Sequence, residues 1–168
     1  NFDSILIYPS TYVANQGSFD GFVESVEKRA RLGESWRRGP IVLSWDAVLH
    51  GASDIRDGQN VVLHEFAHKL DEEDGALDGA PKLTHRAHYI TWARVMQAEF
   101  DTHQQKAQRG QDTVLDHYGA GEPAEFFAVL TETFFEKPKQ LKSKHPELYE
   151  EAKRFFNLDP VSWHDSKG

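Results

Sequence analysis

Two short runs of β-branched and aromatic residues stand out from an otherwise mixed pattern of apolar and polar positions. The first is Ile5–Tyr8, which Pro9 stops, and the second is Ile41–Trp45, which follows Gly39 and Pro40. Apolar runs of this length, bounded by proline or glycine, are typical of strands. The pattern therefore predicts a small sheet.

Most of the remaining chain shows helical spacing, in which apolar residues recur on one face. Helices are predicted on this basis over about Phe19–Gly33, Asp57–Gly75, Thr84–Arg109, Pro123 to just before Pro138, and Leu148–Phe156. Asp57 is the expected N-cap of the second helix and Gly75 its stop. The predicted class is α+β, dominated by helices, with a small sheet.

Composition limits the partners and cofactors. The chain has 168 residues, no cysteine and a formal charge of −8. A single domain over residues 1–168 is therefore expected, and any metal must be held by His, Asp or Glu. The acidic balance argues against a nucleic-acid or anionic-membrane surface. The longest unbroken apolar run, Phe126–Leu130, is far shorter than a membrane span.

The segment that carries chemistry is His64-Glu65-Phe66-Ala67-His68, an H-E-x-x-H motif. Two histidines four residues apart on a helix lie on one face and can bind a single Zn²⁺. The intervening glutamate acts on the attacking water instead of the metal. The helix is apolar almost all round, so we expect it to be buried and central. The alternative is a pair of core histidines that are satisfied by backbone carbonyls.

A catalytic zinc site needs a third protein ligand and one open position. A metzincin-type continuation has Asp71 where that motif has glycine, and Asp74 at the last ligand position. Without the glycine the helix has no obvious place to turn, which makes Asp74 the weaker candidate. Glu125 lies among Phe and Val residues of a later helix. Spacing alone leaves Glu125 open between a ligand and a solvated surface residue.

Other residues near these candidates have two interpretations each. Glu132 lies seven residues after Glu125, hence on the same face, where it could orient a ligand from the second coordination shell. Tyr118 lies just ahead of that helix and is either a donor to an oxyanion or a turn residue. Asp71 either orients a ligand, caps the following loop, or is one more member of the acidic run Asp71–Asp74. The strand Ile41–Trp45 either adds an extended substrate at its edge or is an ordinary buried strand.

Longer strings around these residues resemble the Mlc titration factor A family of zinc peptidases. The matching strings cover most of the chain in the family's order and are Gly39–Trp45, Val62–Asp71, Gly75, Asp78–Pro81, Tyr118 and Glu122–Leu130. The resemblance implies a gluzincin-like site related to the catalytic domain of anthrax lethal factor. It makes His64, His68 and Glu125 the zinc ligands. It also makes Glu65 the general base and Tyr118 the donor to the transition state.

The expected protein is a zincin-type α+β peptidase with one zinc per chain and a peptide or protein substrate. The resemblance further implies aminopeptidase-type activity and, in enterobacteria, binding of the glucose repressor Mlc. Members of the family usually carry a further N-terminal segment, and this chain is expected to begin after it. We also expect a cytoplasmic location, and no nucleic acid or membrane partner.

Two other functions remain open on the sequence. The chain could be a regulatory binding module, an anti-repressor whose peptidase site is incidental or idle. A structural zinc site is the third reading, and it is disfavoured because such sites are closed by four ligands that usually include cysteine.

Overall fold

A computed structural model describes residues 4–9 and 40–165. The helix predicted around Phe19–Gly33 lies outside these residues. Strands β1 (Ile5–Tyr8) and β2 (Ile41–Ser44) form a parallel two-stranded sheet in which Ile5 pairs with Ile41 and Tyr8 with Ser44. All of β1 is exposed, whereas Ile41 and Leu43 of β2 are buried. The small sheet predicted from the sequence is confirmed.

Helix α1 (Trp45–Ser53) was not predicted from the apolar pattern. Ser44 is its N-cap, and the serine side chain accepts a hydrogen bond from the Ala47 N–H at 3.1 Å. An acidic residue, Asp46, occupies the first turn, where it complements the helix dipole. The strand thus ends one residue earlier than predicted, because Trp45 is the first helical residue and not the last β residue.

Helix α2 (Val61–Asp71) carries the H-E-x-x-H motif and continues into a 3₁₀ turn, Glu72–Asp74. Its N-cap is Asn60, whose side-chain oxygen accepts from two backbone N–H groups of the first turn. The prediction of Asp57 as N-cap is therefore wrong. The Asp57 carboxylate accepts instead from the backbone N–H of Gln59. Gly75 ends the turn with φ of 96°, so the predicted stop is confirmed.

Five further α-helices follow in the described residues, together with one 3₁₀ turn. They are α3 (Arg86–Gln108), the turn His117–Ala120, α4 (Pro123–Glu136), α5 (Pro138–Lys144), α6 (Pro146–Phe156) and α7 (Pro160–Asp165). The bounds of α4 agree with prediction, whereas α5 and α7 were not predicted. Both begin at proline, which is favoured at the first helical position and can start a helix as well as end one.

Helix α4 is the centre of the core, and every residue of it except Pro123 and Phe135 is buried. Helix α2 packs against α4 and against β2. It buries only His64, Ala67 and Asp71, so the prediction of a buried central helix holds for one face alone. The described structure is α+β and helix-dominated, as predicted. Within residues 4–9 and 40–165, none of the helices has the length and apolar character that crossing a bilayer demands.

The loop after α2 is fastened to three helices through Gly79. Its N–H donates to Asp71 Oδ2 at 2.8 Å, and its carbonyl accepts from Trp92 Nε1 at 3.0 Å. Gly79 has φ of +76°, and a Cβ built there would lie 2.5 Å from the carbonyl oxygen of Pro123. Asp71 therefore caps this loop, and Gly79 permits the close approach between the loop and the start of α4.

Alanine at Gly75 and at Gly79 separates left-handed backbone strain from close packing. Both glycines have positive φ, so alanine at either position costs about 1 kcal/mol of strain. A Cβ at Gly75 meets nothing within 4 Å, whereas one at Gly79 meets backbone. We expect Gly79→Ala to lower the free energy of unfolding by about 2 kcal/mol more than Gly75→Ala does. Urea denaturation measures both, and equal losses would contradict the packing argument.

Candidate metal centre

Three side chains that could bind a metal meet between α2 and α4. His64 and His68 come from one face of α2, and Glu125 comes from the first turn of α4. Their nearest ligand atoms all lie within 4.8 Å of one another. His64 Nε2 lies 3.0 Å from Glu125 Oε2 and 3.2 Å from His68 Nε2, and His68 Nε2 lies 3.5 Å from the same carboxylate oxygen.

These separations fit a single tetrahedral ion. Ligand atoms about 2.0–2.1 Å from zinc lie about 3.3 Å from each other at tetrahedral angles, close to the three distances between His64, His68 and Glu125. Two nitrogens and one oxygen also leave one position of a tetrahedron open. These three side chains could therefore supply three of the four ligands of a catalytic ion.

The electrostatics of the group point to a cation at the same place. Burial alone lowers the pKa of His64, but hydrogen bonds to Glu125 and Glu132 overcome burial and raise this pKa to about 9. Burial alone raises the pKa of Glu125, but hydrogen bonds with His64 and His68 lower it to about 2. In the metal-free protein a proton on His64 thus offsets the carboxylates. A divalent cation would offset the same carboxylates while the imidazoles stay neutral.

The two candidates for the third ligand lie in different places. Asp74 is exposed in the 3₁₀ turn, where its Oδ1 accepts from the Ala76 N–H at 3.1 Å. Glu125, not Asp74, joins the two histidines. The His64 ring is bonded to two carboxylates, so the reading of a core histidine satisfied by backbone carbonyls does not describe it.

Glu132 lies on the other side of the His64 ring, as its spacing from Glu125 suggested. Its Oε1 lies 2.7 Å from His64 Nδ1. A hydrogen bond to Nδ1 fixes the ring's orientation and directs Nε2 toward the ligand group. Asn60 and Glu136, which extend this contact, were missed in the sequence. A signal existed, because Glu136 lies four residues after Glu132 on the same helix face.

Tyr118 lies beside the metal group on the 3₁₀ turn before α4. The centroid of its ring is 5.6 Å from that of His64. Asp116 holds the turn in place, because its carboxylate accepts from the Tyr118 N–H at 2.8 Å and from Gln59 Nε2 at 3.2 Å. The buried ring of His103 contacts the Asp116 carbonyl at 2.9 Å. The turn that carries Tyr118 is therefore bonded to the segment before α2 and to α3.

Glu65 is half-buried on α2, directly after the first histidine of the motif. Its neighbours in sequence, His64 and Phe66, are buried and half-buried respectively. Glu65 is thus partly accessible next to the buried His64.

Two helices of this α+β protein bring His, His and Glu to one point, a group that could hold a metal ion as in a metallopeptidase. A profile of the family described as "Glucose-regulated metallo-peptidase M90" matches residues 1–157 of the chain. The chain belongs to this family.

Curated relatives agree with this membership. An uncharacterized protein of Synechocystis sp. is 42% identical over 161 residues, covering 95% of this chain and 58% of the relative. Mlc titration factor A of Pectobacterium atrosepticum is 34% identical over 166 residues, which cover 96% of this chain and 61% of the relative. Mlc titration factor A of Yersinia pestis is 35% identical over 171 residues, covering 96% and 60%. The chain thus spans about three fifths of the length of these relatives.

Replacing the third ligand should abolish tight metal binding. Glu125→Ala removes one of three ligands, so we expect metal affinity to fall by at least about 100-fold, the upper end of the range for outer-shell changes. Asp74→Ala removes an exposed carboxylate that is not part of the ligand group and should leave the metal affinity unchanged. Equilibrium dialysis followed by elemental analysis measures both variants. The reverse ranking would favour a metzincin-like ligand set.

Asp71 gives a pH dependence of known sign in the metal-free protein. Burial raises the pKa of its carboxyl from 3.8 to about 6, against the opposing Gly79 N–H. The folded state therefore binds the proton more tightly than the unfolded state does. The contribution of this proton to the free energy of unfolding is fully present below pH 3.8 and is lost as the pH rises through 6. The loss is at most about 3 kcal/mol, and solvent screening of the carboxyl makes it smaller.

Asp71→Asn keeps an oxygen for the Gly79 N–H but cannot ionise. Its stability relative to wild type should therefore rise between about pH 4 and about pH 7. Denaturant titrations across this range measure the difference, and Asp74→Asn, which changes an exposed carboxylate, is the control. Parallel curves for wild type and Asp71→Asn would contradict the assignment.

Proposed function

We propose that the chain is a zinc-dependent peptidase of aminopeptidase type, with a zincin-like fold and a gluzincin-like ligand set. The observation that carries this proposal is the convergence of His64, His68 and Glu125 on one point, with Glu65 between the two histidines. Membership of a metallopeptidase family supports it. A structural zinc site is not supported, because this group supplies three ligands where closed sites use four.

Each residue has a defined task in this proposal. His64, His68 and Glu125 would hold the zinc, which would polarise a substrate carbonyl and lower the pKa of a water toward about 7. Glu65 accepts the proton of the attacking water and passes it to the leaving amine. The Tyr118 hydroxyl donates a hydrogen bond to the carbonyl oxygen as negative charge develops there. Glu132 holds the His64 ring so that Nε2 faces the ligand group.

The names of two relatives support a second function. Two of them are called Mlc titration factor A, which suggests an interaction with an Mlc-like repressor. Recognition of a protein partner requires a surface, whereas hydrolysis requires Glu65, so the two functions can be tested separately. Four further expectations stay predictions. They are a cytoplasmic location, a single domain over residues 1–168, pairing of substrate with β2, and the absence of nucleic-acid and membrane partners.

The deciding variant is Glu65→Gln, which keeps the size of the side chain but removes the base. We expect zinc content to be unchanged and hydrolysis to fall by at least about 100-fold. Tyr118→Phe should lower kcat by about 100-fold with zinc retained, the scale of one lost oxyanion donor. Aminoacyl and oligopeptide chromogenic substrates measure the rates. Glu73→Gln is the control, since it makes the same charge change at an exposed residue outside the ligand group.

The outcomes distinguish the two functions. Equal hydrolysis by wild type and Glu65→Gln would overturn the enzymatic proposal. A wild-type chain without activity that still binds an Mlc-like repressor in a pull-down would favour the binding module. Repressor binding that survives Glu65→Gln while hydrolysis is lost would show that the chain performs both functions.

A further inference from the structure

A row of buried carboxylates on α4 reaches beyond the ligand group to the start of α2. Glu125, Glu132 and Glu136 are all buried on this helix. Each is seven or four residues from the next, so all three lie on the face toward α2. Glu125 belongs to the ligand group, whereas the other two contact the segment 58–60 that precedes α2.

Glu132 connects this segment to the metal group directly. One carboxylate oxygen is bonded to His64 Nδ1 at 2.7 Å, and the other accepts from the backbone N–H of Asn60. A single carboxylate therefore holds the N-cap residue of α2 and a ligand on its first turns. The distance between Asn60 and His64 along α2 is set by the helix, so this contact defines how α2 lies on α4.

Glu136 completes the attachment one turn further along α4. Its Oε2 accepts from the Gly58 N–H at 3.0 Å, and its Oε1 accepts from Asn60 Nδ2 at 2.9 Å. The oxygen of the same Asn60 amide accepts from the N–H groups of Val62 and Leu63. The amide oxygen of Asn60 thus caps α2, and its NH₂ group bonds the start of α2 to α4.

The partners of Glu136 in this contact are neutral donors, so keeping its carboxylate buried is unfavourable. Burial raises the pKa of Glu136, and the bonds from Asn60 and Gly58 oppose this only in part. A glutamine of the same shape would avoid the buried charge. The carboxylate is the better acceptor for two converging N–H donors, because glutamine turns an NH₂ group toward one of them.

We propose that Asn60 and Glu136 are positioning residues that set the register of α2 on α4 and thereby bring both histidines to Glu125. The inference rests on the metal site of the proposed function. Its physical basis is that the ligands come from two separate helices, so their convergence depends on how these helices are aligned. Asn60 acts through its backbone, because its N–H bonds Glu132 and its carbonyl accepts from the His64 N–H at 3.0 Å. Glu136 acts through the Asn60 side chain and the Gly58 N–H.

A donor–acceptor exchange tests the contact. Asn60→Asp keeps the oxygen that caps α2 but removes the NH₂ group that faces Glu136, and it sets two carboxylates against each other. Glu136→Gln keeps one acceptor but sets an NH₂ group against that of Asn60 or the Gly58 N–H. In the double variant the new amide donates to the new carboxylate, so the hydrogen bond between the two side chains is restored in the opposite direction.

Zinc affinity is the main readout, measured by competition with a chromophoric chelator. Each single variant should bind zinc about 10-fold more weakly, the lower end of the range for residues that orient ligands. The double variant should return to within about threefold of wild type, because the contact is remade. Amide hydrogen exchange of Val62, Leu63 and His64 in zinc-free protein is the second readout. It should be faster in both single variants and slower again in the double variant.

Glu151→Gln is the matched control. Glu151 is also a buried carboxylate, lies on α6, is bonded to Arg154 and is not part of the ligand group. It should change the melting temperature without changing zinc affinity, and thermal melting of every variant separates loss of fold from loss of alignment. Single variants with wild-type zinc affinity, or a double variant whose losses add, would overturn this inference alone. A wild-type chain that binds no zinc would overturn the proposed function and this inference together.

Discussion

The arrangement of the site depends on how one imidazole separates two buried carboxylates. Ionised carboxylates are costly to bury without a partner, yet α4 buries Glu125 and Glu132 on the face that meets α2. The His64 ring contacts both, one at each nitrogen. Removing the ring would leave two like charges facing each other, so packing of α2 on α4 and the ligand geometry are parts of the same interaction.

Local signals account for the parts of the structure that were predicted from the sequence. Pro9 ends β1, Gly75 ends the turn after α2, and Pro123 starts α4, and each of these residues acts on the backbone beside it. The histidine pair could also be predicted, because residues four apart on a helix lie on one face. Glu125 could only be proposed as a ligand, since its meeting with His64 spans 61 positions along the chain.

The features that were missed depend on tertiary contacts. Asp57 and Asn60 are both good N-caps by residue type, and the choice between them follows from the contact of Asn60 with α4. The half-exposure of α2 likewise reflects which elements pack against it, and no pattern of apolar residues within α2 reports that. Glu136 was overlooked because an acidic residue near a helix end is usually solvated, whereas here it lies against the Gly58 backbone.

The origin of the ligands in two distant segments has a consequence for the lifetime of the protein. An unfolded chain keeps His64 and His68 near each other in sequence but not Glu125, whereas the folded chain brings all three to one point. A bound ion would therefore favour the folded state and stabilise it by mass action. Scarce metal would enlarge the opened fraction on which cellular proteases act. Metal supply would thus regulate how much of the protein persists as well as how much of it is loaded.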